Sequence, residues 1–323
     1  MHTDIFQLTG GQEDTKIIES RIIEILLSAG NQRSPLRPTE LYNEGWMLRL
    51  ILDWSERHAM FSHPLHFFKN ARWCSEGLLA SSFLPRFRGD PLAEAWTHAD
   101  GVIGHFSVGN FGCGDISLAD NAKQFVIVEA KLNSPLSTGT KNAPGFDQAA
   151  RSVSCITEVL MRANRRPESL EKIGFLLLAP KLQLEKGVFS DLLSRDSVRG
   201  KVKERVRQYH GDKDAWYSDW FEPTLDAIEV RYFSWESLVD EAGQAYRAFY
   251  KKCLQSNRLS APTGLTMDED CRRIYQFVKQ SRPRRIVTSS ANRSCDGLAA
   301  EMESEDFDEE ESSQQESLRR IDQ

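Results

Sequence analysis

The chain has 323 residues, of which 40% are hydrophobic, and a formal net charge of −6. This length and composition predict one or two domains with a sizeable core. No apolar run is long enough to cross a membrane, and the polar N-terminus lacks the pattern of a signal peptide. Six scattered cysteines form no Cys-x-x-Cys pair, which favours a reduced, cytoplasmic protein without a zinc finger.

The charge is distributed unevenly along the chain. From residue 301 onward there are ten acidic residues and two arginines, a net charge of −8, so residues 1–300 carry about +2. Residues 283–323 have too few apolar side chains to fold alone, which predicts a disordered acidic tail. Such a tail is a candidate contact for a protein partner. The nearly neutral body does not indicate nucleic-acid binding by its bulk charge.

Residues 37–54 predict an amphipathic helix, with Thr39 as a candidate N-cap. Its broad apolar face consists of Leu41, Trp46, Leu48, Leu50, Ile51 and Trp54.

Two short segments near the middle of the chain predict neighbouring strands, 114–118 and 124–132. Because side chains alternate faces along a strand, Glu129 and Lys131 share one face of the second segment. The opposite face carries Val126, Val128, Ala130 and Leu132. A turn of odd length would place Asp115 directly across from Glu129, whereas a turn of even length would place them on opposite faces.

Two facing carboxylates would repel each other unless a cation lay between them. Oxygen ligands of this kind suit Mg²⁺ or Mn²⁺. Lys131, one pleat beyond Glu129, is placed to orient or deprotonate a water, or to neutralise charge on a phosphorane. The alternative is a solvated hairpin with a Glu–Lys pair on its outer face. The only Glu-x-Lys in the chain falls at the end of its most apolar strand, which favours the functional interpretation.

Further segments extend this pattern on both sides. Residues 99–108 predict an earlier strand, in which Asp100 is a rival metal ligand, although Asp100 and Gly101 together also predict a turn. Asp147 begins a helix that runs to about Arg162, with a buried stripe of Ala149, Val153, Ile156 and Leu160. Residues 172–180 form an apolar run typical of a strand buried on both faces, and residues 228–238 predict a strand leading into a helix.

Asp115, the run Glu129-Ala130-Lys131 and the order of elements from Pro38 to Leu238 resemble the PD-(D/E)XK nuclease superfamily. This order is helix, three strands, helix, strand, insertion and strand. The resemblance implies an α/β fold of the restriction-endonuclease-like type, with a mixed central sheet flanked by helices. Gly114 departs from the pattern, because the family often has Pro before the Asp.

The resemblance also implies the composition of the site. Asp115, Glu129 and the backbone carbonyl of Ala130 would bind Mg²⁺ or Mn²⁺. The first helix of the family often places a Glu near the metal, and Glu44 matches that position. A Gln or Lys on the later helix commonly touches the site or the phosphates, and Gln148 matches it. The alternative for Glu44 and Gln148 is an ordinary polar residue on a helix surface.

Four basic residues are candidates for contacts to nucleic acid. Arg151 follows Gln148 on its helix. Lys201, Lys203 and Arg207 lie along a second predicted helix. Such cations can neutralise phosphates, although charge runs on helices are commonly only solvated.

The sequence therefore predicts a Mg²⁺-dependent nuclease acting on DNA, in a superfamily whose members serve restriction, repair, recombination and defence. The expected organisation is a helical segment (1–36), a nuclease-like domain (37–245), a helical extension (246–282) and the acidic tail (283–323). The alternative is a catalytically inactive nuclease-like fold that binds nucleic acid or a protein.

Overall fold

A mixed β-sheet of five strands forms the centre of the protein. The computed structural model describes Arg21 and residues 24–28, 38–58, 62–109 and 115–260. The strands of the sheet are β1 (Arg72–Leu79), β2 (Thr97–Gly104), β5 (Gln124–Ala130), β8 (Lys172–Ala179) and β9 (Glu229–Ser234). Two small antiparallel pairs join β3 (Phe106–Val108) to β4 (Ile116–Leu118) and β6 (Gly139–Thr140) to β7 (Ala143–Pro144).

Helices flank the sheet. They are α1 (Arg21 and residues 24–28), α2 (Pro38–Leu41), α3 (Glu44–His58), α4 (Gln148–Arg162), α5 (Lys181–Glu185), α6 (Arg195–Arg207), α7 (Asp214–Trp216), α8 (Glu222–Ala227), α9 (Trp235–Ala242) and α10 (Gln244–Ser260). A π-helical turn, Tyr217–Phe221, joins α7 to α8. None of the helices in the described ranges is long and apolar enough to cross a bilayer.

The spatial order of the sheet is β1-β2-β5-β8-β9. The pairs β1–β2 and β2–β5 are antiparallel, whereas β5, β8 and β9 run parallel to one another. Both central parallel strands, β5 and β8, are buried along almost their whole length, as expected for strands covered on both faces. The predicted class, a mixed sheet flanked by helices, is confirmed.

The two faces of β5 contribute to two separate cores, and the predicted alternation is confirmed. Phe125 and Ile127 pack into a core that includes the buried stripe of α4. Val126, Val128 and Ala130 pack on the other face, against α3 and α9. The polar ends of Glu129 and Lys131 therefore extend from a strand that is apolar on both sides.

The predicted elements after residue 145 agree closely with the structure. Asp147 is the N-cap of α4, where its Oδ1 accepts a hydrogen bond of 2.9 Å from the amide of Ala150. The predicted stripe of α4 is buried, and the apolar run 172–180 forms β8. The strand β9 leads directly into α9, whose N-cap is Ser234.

The predicted helix over residues 37–54 is divided into α2 and α3. Thr39 lies inside α2, so its prediction as an N-cap is wrong. Asn43 performs that role for α3, because its Oδ1 accepts a hydrogen bond of 2.9 Å from the amide of Trp46. The division places Glu44 at the first position of α3, where the helix dipole favours a carboxylate.

The region of the first strands differs most from the prediction. The sequence did not indicate β1, and residues 99–108 divide into β2 and β3. Asp100 lies inside β2, so the turn predicted at Asp100 and Gly101 is wrong. A Cβ on Gly101 would lie 3.0–3.1 Å from the side chains of Leu52 and Leu48. Gly101 therefore allows α3 to approach the sheet closely, rather than forming a turn.

The predicted pairing of the segment after Gly114 with the strand of Glu129 is also wrong. Strand β4 pairs with β3, with Ser117 opposite Ser107, whereas the neighbours of β5 are β2 and β8. Asp115 forms an isolated parallel bridge with Leu78 of β1. Asp115 is therefore not directly across from Glu129, whatever the length of the turn.

The helix α10 belongs to the core beside α3. Tyr250 and Cys253 are buried in the same cluster as Trp235. The predicted acidic tail (283–323) and most of the predicted N-terminal segment (1–36) lie outside the described residues, as does Gly114.

Gly104 provides a test of the contact between β2 and β5. It faces Phe125 in the register, has φ of +151°, and a Cβ there would lie 2.2 Å from the carbonyl oxygen of Gln124. We expect Gly104→Ala to lower the free energy of unfolding by more than about 2 kcal/mol in urea titrations. The matched control is Gly200→Ala in α6, where no neighbour lies within 4 Å, and where Ala should stabilise the helix by up to about 1 kcal/mol. Equal unfolding midpoints for the two variants would contradict this account.

Candidate functional site

The candidate site lies where β5 ends. Glu129 and Ala130 are the last residues of β5, and Lys131 follows directly. Helix α3 begins nearby with Glu44, and α4 begins nearby with Gln148. The end of one strand and the starts of two helices thus bring polar side chains to one edge of an otherwise apolar sheet.

Asp100 is the strand neighbour of Glu129. The antiparallel register pairs Gly101 with Val128, and the next pair in that register is Asp100 with Glu129. Directly opposed residues on antiparallel strands point to the same face with their side chains close together. Asp100 also accepts a hydrogen bond of 2.8 Å at Oδ2 from the amide of Ala130.

Glu129 is buried, with 1% of its surface exposed, and one of its oxygens has two donors. Its Oε1 lies 2.6 Å from Nε2 of Gln148 and 2.9 Å from Nζ of Lys131. The predicted proximity of Glu129, Lys131 and Gln148 is therefore present. The contact between Glu129 and Lys131 also agrees with their predicted position on one face.

The burial of these charges changes their protonation equilibria. Burial raises the pKa of Glu129 well above its ordinary value, the Asp100 carboxyl raises it further, and Lys131 opposes the rise. Burial alone would lower the pKa of Lys131, but the carboxylates of Glu129 and Asp100 outweigh this effect and raise it. At neutral pH Lys131 is therefore protonated.

Glu44 completes the charged surroundings. Its Oε2 accepts a hydrogen bond of 2.9 Å from the amide of Leu132, which fixes the chain just beyond Lys131. Burial raises the pKa of Glu44, Lys131 opposes that rise, and Asp100 adds to it. Glu44 therefore lies in the electrostatic field of the same cluster, as its predicted role requires.

The backbone around Lys131 is held on both sides. Its amide donates to the carbonyl of Leu178 in β8 at 2.8 Å, and its carbonyl accepts from Nε1 of Trp235 at 2.9 Å. Trp235 is fully buried at the start of α9. No local pattern in the sequence indicates this role of Trp235, because its partner Lys131 lies 104 residues earlier in the chain.

The carbonyl of Ala130 is directed toward the side of β2. In an extended strand the N–H and C=O of one residue point the same way, and the Ala130 amide donates to Asp100. Two carboxylates and this carbonyl form a set of hard oxygen donors that suits Mg²⁺ or Mn²⁺. Among the described residues, no three His, Cys, Asp or Glu side chains gather into a metal site. Mg²⁺ commonly binds proteins through one or two carboxylates, with waters and phosphate oxygens completing its shell.

Asp115 is buried in a different environment. It precedes β4 and accepts a hydrogen bond of 3.2 Å from Ser117, and its carbonyl accepts from the amide of Gly109. The carboxylate that raises the pKa of Glu129 is that of Asp100. The sequence predicts Asp100 only as a rival ligand, because the pair with Gly101 indicates a turn. In the structure, Gly101 instead allows α3 to pack closely against the sheet.

Two of the basic residues predicted to contact nucleic acid are engaged within the fold. The Nε of Arg151 lies 3.6 Å from Glu94, and both side chains are largely buried. Lys201 pairs with Asp147, the N-cap of α4, at 2.5 Å. Lys201 therefore ties α6 to the end of α4 that carries Gln148.

The other two basic residues lie on the surface of α6. Lys203 is exposed, and Arg207 pairs with Glu204 at 2.9 Å, one turn earlier. Arg205, between them in sequence, is buried and stacks over the ring of Phe83. The basic run of α6 thus serves partly to hold the fold together.

The electrostatic balance at Glu129 can be tested with two opposite substitutions. Asp100→Asn removes a neighbouring negative charge and should lower the pKa of Glu129, whereas Lys131→Met removes a positive charge and should raise it further. The measurement is a pH titration of the ¹³C carboxyl shift of Glu129 by NMR. Asp53→Asn, in an exposed pair with Arg57 on α3, is the control and should leave the titration unchanged. Shifts of the same sign in both test variants would refute the arrangement described for these three groups.

Comparisons of the chain with protein-family models, with curated proteins and with solved structures find no match. The assignment of a function therefore rests on the geometry and chemistry of the site.

Proposed function

We propose that this protein is a metal-dependent nuclease that hydrolyses phosphodiester bonds of DNA. The observation that carries the proposal is the pair of the buried Glu129 and the partly buried Asp100, with Lys131 in contact with Glu129. This cluster has the composition of the PD-(D/E)XK site that the sequence resembles, with Asp100 in the position first expected of Asp115.

Asp100, Glu129 and the carbonyl of Ala130 would hold Mg²⁺ or Mn²⁺. The pKa of Glu129 is raised by burial and by Asp100, so a divalent cation would relieve the repulsion between the buried Glu129 carboxylate and that of Asp100. When bound, the ion would supply charge neutralisation at the phosphate and a more acidic water. Mn²⁺ can replace Mg²⁺ as a probe of this site, because the two ions prefer the same oxygen ligands.

Lys131 acts as a charged donor in this proposal. Its Nζ lies 2.9 Å from Oε1 of Glu129, and the carboxylates of Glu129 and Asp100 raise its pKa, which favours the ammonium form before a cation binds. In the proposal, Lys131 orients the water or stabilises negative charge on the phosphate.

Gln148 and Glu44 are positioning residues. Gln148 donates to Glu129 through Nε2 at 2.6 Å, while its Oε1 accepts from the amide of Ser137 at 3.3 Å. Glu44 holds the amide of Leu132. Both residues fix the chain on either side of Lys131 and would keep the reacting groups aligned.

An inactive nuclease-like fold is the second candidate, and one observation favours it. Both donors to Glu129, Lys131 and Gln148, bind the same oxygen, Oε1. Contacts of this kind also hold the end of a strand in place in a protein without activity. The experiment below separates the two candidates, because only the nuclease requires a divalent cation.

We expect the purified protein to cleave DNA in Mg²⁺ or Mn²⁺ and to be inactive in EDTA. Glu129→Gln and Lys131→Met should each lower the cleavage rate by at least about a hundredfold, because the first removes a proposed metal ligand and the second removes the charged donor. The measurement is a time course on plasmid, linear duplex and single-stranded DNA, with RNA as a further substrate.

The matched controls are Glu56→Gln on α3 and Lys251→Met on α10, both exposed, which should cleave at the rate of the wild type. Circular dichroism establishes that all four variants are folded. Cleavage in EDTA, or full activity in folded Glu129→Gln, would refute the nuclease. DNA binding without cleavage under any metal would favour the inactive fold.

A further inference from the structure

A second polar cleft lies at the opposite end of β5 from the candidate active site. It has a volume of about 640 Å³ and lies between residues 66–72, the start of β3 and the turn before β5. Its lining includes Lys69, Arg72, Lys123, Phe67, Phe68 and His105. Strand β5 has seven residues, so the two sites are separated by about 20 Å along the strand.

The cleft carries an excess of positive charge. Lys69, Arg72 and Lys123 are all exposed, whereas Glu171 is the acidic residue of the lining. Glu171 pairs with Lys123 at 2.7 Å, and this pair is more than half exposed on both sides. Two cations therefore remain without a carboxylate in the lining, an arrangement that attracts anions.

The wall formed by residues 66–68 is held in place by a buried amide. Gln124, with 0% of its surface exposed, donates through Nε2 to the carbonyl of His66 at 2.9 Å. Its Oε1 accepts from the amide of Phe68, also at 2.9 Å. The amide nitrogen and the amide oxygen of Gln124 thus both fix the segment that carries Phe67 and Lys69. This part of the cleft is therefore preorganised.

His105 fixes the next part of the same wall. Its Nδ1 lies 3.4 and 3.3 Å from the amides of Lys123 and Gln124, and its Nε2 lies 3.0 Å from the carbonyl of Lys69. Amides can only donate, so Nδ1 accepts and Nε2 carries the hydrogen. His105 therefore joins the backbone of two cationic positions, Lys69 and Lys123, across the cleft.

Arg72 is oriented by an aromatic ring. Its guanidinium lies over the ring of Phe106, 4.9 Å from the centroid, and donates to the carbonyl of Phe106. A guanidinium has five N–H donors, so several remain for a ligand. Phe67 and Phe68, half-buried in the lining, add flat apolar surface beside these cations.

We propose that this cleft binds one nucleotide unit, either free or as part of a nucleic-acid strand. Lys69, Arg72 and Lys123 would contact the phosphate, and Phe67 or Phe68 would stack against the base. Cations beside aromatic rings suit this combination of an anion and a planar ring. The volume of the cleft lies within the range of small-ligand sites. The proposal is independent of the nuclease, since no group of the candidate active site takes part.

The test is isothermal calorimetry on the full chain in EDTA at low salt, with inorganic phosphate, adenosine monophosphate and a single-stranded thymidine oligonucleotide as probes. We expect saturable binding of the nucleotide and weaker binding of phosphate alone. Lys69→Gln and Lys123→Gln should each weaken nucleotide binding by about tenfold, the loss expected for one charged hydrogen bond. An oligonucleotide that binds more tightly than the mononucleotide, and that loses affinity in Lys69→Gln and Lys123→Gln, identifies a strand as the natural ligand. Equal affinities identify a single unit.

An exposed lysine outside the cleft provides the matched control. Lys251→Gln, on α10, should bind as the wild type does. The absence of saturable binding at millimolar concentration would overturn the proposal. It would also be overturned by phosphate binding as tightly as the nucleotide, or by an equal loss of affinity in Lys251→Gln.

Discussion

The burial of one carboxylate, that of Glu129, is the constraint on which the rest of the site depends. A buried carboxylate is unfavourable unless other groups pair with it and donate hydrogen bonds to it. Lys131 and Gln148 supply these contacts, and Asp100 beside it increases the cost. Lys131 is in turn held by Trp235 and Leu178 through its backbone. The starts of α4 and α9 and the end of β8 are therefore all fixed relative to one carboxyl group.

The parts of the fold that the sequence predicted are those with a local physical signature. Strand β8 is a continuous apolar run because both of its faces are covered, and α4 has an apolar stripe and the N-cap Asp147. The relation of Glu129 to Lys131 was predictable for the same reason. It depends on the alternation of side chains within one strand and on no other part of the chain.

The parts that were missed depend on contacts between distant segments. The pairing of β5 with β2, and not with β4, is a choice among strands that the turn alone does not determine. The sequence alone therefore favours Asp115, the acidic residue nearer to Glu129 in the chain, over Asp100. The partners of Arg151 and Lys201 are likewise remote, and no periodicity along a helix indicates that a cation is paired with Glu94 or Asp147. Tertiary pairing also decides which cations of α6 remain available to a ligand.

The central claim is that Asp100 and Glu129 form one cation-binding pair and that Asp115 lies outside it. The most direct measurement is calorimetric titration of Mn²⁺ into the wild type, Asp100→Asn and Asp115→Asn, each with an unfolding curve to establish that it is folded. The account predicts saturable binding in the wild type and in Asp115→Asn, and loss of binding in Asp100→Asn. Binding that survives in Asp100→Asn and disappears in a folded Asp115→Asn would contradict it.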